Sequence, residues 1–127
     1  MKKDPLLPQV KKNLKTLNKI HDSLELLRHE TISILNSMAL AKPLEKRLVS
    51  IKKQTESTLN KVKKKIEATE RHKTLASSKK PIKEAQEFIN KKIKQQDLKI
   101  KEFNVNIKVI KAKIEKAKRD IEKQYMY

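Results

Sequence analysis

The chain has 127 residues, with 33 lysines and arginines against 15 aspartates and glutamates, a net charge of +18. It contains no glycine, cysteine or tryptophan. Loops that cradle nucleotide phosphates, disulfide frameworks and thiolate sites for metals or nucleophilic chemistry are therefore excluded. The length suits one domain whose helices fold back on each other, and strand-type runs are absent.

Residues 1–9 read as a lead-in. Lys2 and Lys3 begin like a signal peptide, but Asp4-Pro5-Leu6-Leu7-Pro8 lacks the apolar run that must follow. No stretch approaches the roughly eighteen consecutive apolar residues of a membrane span, so integral membrane insertion is not expected and a cytoplasmic location is the default. A first helix is predicted over about residues 10–40. Its apolar face is Val10, Leu14, Leu17, Ile20, Leu24, Leu27, Ile34 and Met38, with Thr31 on the same side. Leu26, Ile32, Leu35 and Leu40 widen that face, as a helix touching two neighbours requires.

Pro43 marks the first break, because proline disfavours helix in the residue before it and is welcome in a first turn. The second helix, about residues 43–76, carries Leu44, Leu48, Ile51, Thr55, Leu59, Val62, Ile66, Thr69 and Ala76. Ser77-Ser78-Lys79-Lys80-Pro81 forms the second break. The third helix, about residues 82–125, is the longest. Its stripe is Ile82, Ala85, Ile89, Ile93, Ile100, Phe103, Ile107, Ile110, Ile114, Ala117 and Ile121, with Gln96 in the single gap. Such a helix is ~60 Å long, the dimension of a rod. Short links cannot return a chain along a rod, so the three helices must be antiparallel neighbours. The expected fold is all-α: an elongated, up-down-up three-helix bundle with coiled-coil-like packing and a long C-terminal helix.

Taken as a heptad repeat, the third helix has isoleucine at every a position from Ile93 to Ile121. Its d positions are Gln96, Phe103, Ile110, Ala117 and Gln124, which suits no leucine-zipper dimer. Packing inside the bundle accounts for this face better. A second strip of Leu98, Val105, Val109 and Ala112 lies on what should be the solvent side, beside Lys94, Lys101, Lys108 and Lys116. Its alignment predicts a docking face for a protein partner or a second copy.

Charge is unevenly divided: residues 1–41 carry net +3, residues 42–78 net +7 and residues 79–127 net +8. An AT-rich coding sequence would raise glutamate along with lysine, so codon bias does not explain the imbalance. A surplus of this size promotes binding to polyanions. The candidate nucleic-acid contacts are Lys61, Lys63, Lys64 and Lys65 of the second helix. The third helix adds Lys91, Lys92, Lys94, Lys99, Lys101, Lys108, Lys111, Lys113, Lys118 and Arg119. Lys94, Lys101 and Lys108 repeat every ~10 Å, a spacing that can follow phosphates without reading bases. Arginine, the usual reader of guanine edges, occurs only at Arg28, Arg47, Arg71 and Arg119. Tyr125 and Tyr127 are the aromatics that look free to stack on bases.

His21, Glu25 and His29 share one helical face, but the residues predicted opposite them offer no histidine and no carboxylate except Glu56, so no metal is expected. No nucleophile with a base, and no paired carboxylates, identify an enzyme or a small-molecule substrate, and no cofactor is implied. The expectation is a non-enzymatic nucleic-acid-binding protein of accessory or assembly type. Its rival is a helical adaptor or chaperone for an acidic protein partner. Peripheral attachment to anionic membrane is weaker, because the apolar faces lack the aromatic anchors of interfacial helices.

Overall fold

The computed structural model describes residues 7–37, 42–77 and 82–125, all of them helical: α1 (Leu7–Ser37), α2 (Lys42–Ser77) and α3 (Ile82–Tyr125). With 31, 36 and 44 residues, these helices are ~46, ~54 and ~66 Å long. Proline falls in the opening turn of α1 (Pro8) and α2 (Pro43), where the missing N–H would be unpaired anyway. α1 accordingly begins at Leu7, one turn earlier than the apolar pattern from Val10 indicated. Glu45 and Glu84 in the first turns of α2 and α3, and Lys123 in the last turn of α3, oppose the helix dipoles.

Side-chain contacts fix the topology. Asn13 of α1, Thr69 of α2 and Gln96 of α3 meet at one level. Further along, Glu30 of α1 meets Lys118 of α3, so residue numbers rise together and α1 and α3 are parallel. Gln54 meets Lys113 and Arg47 meets Asp120, so α2 runs against α3. All three pairs of helices are in contact. The result is the up-down-up three-helix bundle.

The core is built from the stripes. Leu17, Leu24, Leu48, Val62, Phe103, Ile114 and Ala117 are almost wholly excluded from solvent, and Ile20, Leu27, Ile51, Leu59, Ile100, Ile107 and Ile110 join them in one continuous cluster. Val10, Ile89 and Ile93 form a second, smaller cluster toward the start of α1. Between the two lies a polar layer. Gln9 Nε2 donates to Asn13 Oδ1 (3.2 Å), Asn13 Nδ2 donates to Gln96 Oε1 (3.3 Å), and Gln96 Nε2 donates to Thr69 Oγ1. Thr69 Oγ1 then donates to the Lys65 carbonyl at 2.8 Å. This chain links all three helices, so one buried glutamine fixes their register where isoleucine would tolerate sliding. Thr31, Thr55 and Thr58 satisfy their buried hydroxyls on carbonyls one turn back.

Some positions depart from the apolar pattern. Leu26 is 65% exposed, since two residues beyond Leu24 turn it about 200° away from the core. Ile32 and Leu35 are half-buried and do widen the face. Asn13, Thr58 and His72 are buried although none belongs to an apolar stripe. The breaks at residues 38–41 and 78–81, with Met38 and Leu40, lie outside the described residues, as do the side chains of Leu44, Ala76, Ile82, Ala85, Gln124 and Tyr125.

Candidate nucleic-acid interface

Helical geometry separates cations that are neighbours in sequence. Consecutive residues turn by about 100°, so Lys61, Lys63, Lys64 and Lys65 cannot share one face. Lys61, Lys63 and Lys64 are exposed and Lys65 is half-buried. Lys61 and Lys64 border a shallow depression on the outer side of α2 together with Lys53, Glu56, Ser57 and Asn60. Lys63 stands two turns from Glu56, the residue that meets Arg28 of α1. Lys65 lies at the α3 seam, one turn from Thr69.

On α3 the same rule sorts the candidates into three rows. Lys92, Lys99 and Lys113 look toward α2; Lys113 Nζ donates to Gln54 Oε1 at 3.3 Å. Lys111 and Lys118 look toward α1, where Lys118 Nζ donates to Glu30 Oε2 at 3.1 Å. Lys91, Lys94, Lys101, Lys108 and Arg119 are exposed on the outer side. Leu98, Val105, Val109 and Ala112 run between these outer cations, with Leu98, Val105 and Val109 at 66%, 59% and 47% exposure.

The α2–α3 seam is electrostatically divided. Near the C-terminal end of α3, Arg47 Nη1 meets Asp120 Oδ2 at 3.2 Å, so charges there are matched. Toward the start of α3, cation faces cation. The Lys65 ammonium is held below the usual lysine range, first because packing strips water from it and then because Lys99 and Lys92 face it across the seam. Glu102 compensates in part, at 3.4 Å from Lys99 Nζ, but both ends of that pair are about half exposed and its worth is at most ~1 kcal/mol.

One turn beyond Thr69, His72 lies beside these cations as an uncharged ring. Its ring is buried, its Nδ1 has no hydrogen-bond partner among the described residues, and it packs at a tilt against Phe88, with ring centroids 5.3 Å apart. Its pKa is pushed below the ordinary histidine value by burial, then by Lys92, Arg71 and Lys65. Lys92 Nζ sits over the Phe88 ring, 5.6 Å from its centroid. Sequence reasoning missed both Phe88 and His72 as site residues. The usable signal was Phe88 one helical turn before Lys92, on the edge of the apolar stripe and away from its centre.

At the α1 seams, by contrast, cations meet carboxylates: Arg28 lies 4.0 Å from Glu25 and 3.7 Å from Glu56, and Lys118 pairs with Glu30. His21 is 3.8 Å from Asp22. With Glu25 turned to Arg28, the histidine face of α1 is a polar surface, and no group of three or more potential metal ligands is found among the described residues. No described helix is long and apolar enough to cross a membrane. Compared with protein-family models, curated proteins and solved structures, the chain matches none of them.

Proposed function

We propose that this chain is a non-enzymatic nucleic-acid-binding protein, an accessory or assembly factor of a nucleoprotein complex. It would hold phosphates along the lysine-rich surfaces of α2 and α3. The observation that carries this reading is the placing of Lys92 and Lys99 near enough to a partly desolvated Lys65 to lower its pKa, with Glu102 as the carboxylate that pairs with Lys99. Like charges brought together cost stability in the free protein, and a phosphate backbone laid over them removes that cost. The exposed row of Lys94, Lys101 and Lys108 offers the strand a continuation on the outer side of α3.

The test is a titration of labelled DNA and RNA with the protein at several salt concentrations, with anionic vesicles as the alternative polyanion. Binding that weakens steeply between ~50 and ~200 mM salt is expected. No binding to either polymer at low salt defeats the proposal, and a preference for vesicles redirects it to a membrane surface.

A second reading rests on the exposure of Leu98, Val105 and Val109, aligned over ~20 Å of α3 with Ala112. The lysines beside this strip would repel a second copy laid along it. Its occupant is therefore an acidic amphipathic helix of a partner protein, steered by charge. Substituting Val105→Asp and Val109→Asp should abolish capture of such a helix while leaving helicity unchanged. If the pair instead breaks up a dimer in sedimentation equilibrium, the occupant is a second copy.

A further inference from the structure

We infer that Phe88 is a stacking platform for an unpaired nucleobase, placed where the cation-rich half of the α2–α3 seam opens to solvent; this rests on the nucleic-acid reading above. The chain has two phenylalanines, and they are used oppositely. Phe103 is 1% exposed and fills the core, whereas Phe88 is 45% exposed. An aromatic ring left in water costs transfer free energy that its neighbours could have recovered by covering it. Here the neighbours hold the ring in place. His72 packs against it at 5.3 Å and Lys92 lies 5.6 Å from its centroid.

Sequence-tolerant recognition of single strands combines a positive groove that follows the backbone with aromatic faces on which bases stack. Both parts are present within a few helical turns. Lys92 stands one turn from Phe88 on α3 and Lys99 three turns away, while Lys65 faces these lysines from α2. With Lys92 turned from the ring to a phosphate, a face of Phe88 becomes available to the base attached to it. A paired duplex keeps its bases stacked internally and cannot use such a platform. The inference therefore assigns a preference for single-stranded over double-stranded nucleic acid, a distinction that lysines alone do not make.

The absence of tryptophan makes a direct test possible. Phe88→Trp introduces a single tryptophan, excited selectively beside the two tyrosines, at the proposed platform, and Phe88→Leu keeps an apolar side chain while removing the ring. The probes are labelled oligothymidylate, its duplex with oligoadenylate, and inorganic polyphosphate, which carries charge but no bases. Circular dichroism checks that both variants remain helical. Saturating oligothymidylate should quench the Phe88→Trp emission well beyond any change that polyphosphate causes by drawing Lys92 off the ring. Phe88→Leu should weaken oligothymidylate binding by about fivefold or more, with polyphosphate binding retained. If wild type and Phe88→Leu bind oligothymidylate equally and the tryptophan emission does not respond, the platform is refuted while the phosphate-binding reading stands. If the wild-type protein ignores all three probes in dilute buffer, both fall together.

Discussion

The two halves of the α2–α3 seam are built from the same backbone geometry and differ in charge. In one half, Arg47 faces Asp120 and Lys113 reaches Gln54. In the other, Lys65 faces Lys92 and Lys99, and His72 lies near Lys92, Arg71 and Lys65. A surplus of +18 would be least costly if spread evenly, because repulsion between exposed charges falls off within a Debye length of about 8–10 Å. Lys65, Lys92 and Lys99 depart from such spreading, and under the proposed function an external anion laid there would relieve their repulsion.

The strongest perturbation of this arrangement goes through the polar layer beneath the cationic half. Gln96→Ala leaves Asn13 Nδ2 without its acceptor and opens a cavity between the two apolar clusters. It should cost about 2–4 kcal/mol, read as a lower urea midpoint. Gln96→Leu removes the same bonds but fills the space; its loss should be smaller, with helix register rather than stability the property that suffers.

Next in size is the acid response of His72. Unfolded, this histidine takes up a proton near its ordinary value of 6.5; folded, it resists protonation because its pKa is lowered. The unfolded chain thus binds more protons, and stability should fall as the pH drops below about 6.5, continuing until the folded ring itself is protonated. His72→Phe should flatten that part of the urea midpoint against pH curve.

Lys65→Met sharpens the comparison further, because its two expected effects have opposite sign. With the repulsion from Lys92 and Lys99 gone, the free protein should become slightly more stable, while oligonucleotide affinity decreases. A matched change in the balanced half, Asp120→Asn, should shift stability by less than about 1 kcal/mol, as an exposed ion pair does.

Much of the fold was legible in sequence because the third helix repeats isoleucine at a strict spacing, and Ile93, Ile100, Ile107 and Ile114 all lie in the core. Pro43 falls in the opening turn of α2, and Pro81 directly precedes Ile82, the first residue of α3, in sequence; both are signals that need no tertiary context. Gln96 was visible only as a gap in the stripe. Its partners Asn13 and Thr69 were not predictable, since which polar side chains meet depends on helix rotation and register. The candidate interface was less legible for the same reason. The run from Lys61 to Lys65 looks like one patch in the sequence, yet the helix distributes it around its circumference. Lys65, Lys92 and Lys99 become neighbours only once α2 is set antiparallel to α3. Phe88 and His72 lie at the edge of the apolar pattern, where composition does not decide between burial and exposure.

The central claim is that the cation-facing half of the seam, and not the charge surplus at large, holds the polyanion. It is tested most directly by measuring the salt dependence of oligonucleotide binding for two variants in parallel: Lys65→Gln/Lys92→Gln/Lys99→Gln and Arg47→Gln/Lys113→Gln. The first should flatten the log–log slope by about one for each phosphate that is no longer neutralised, up to about three, and weaken binding severely, whereas the second should stay close to wild type. Equal decreases for each charge removed in the two variants would contradict the account.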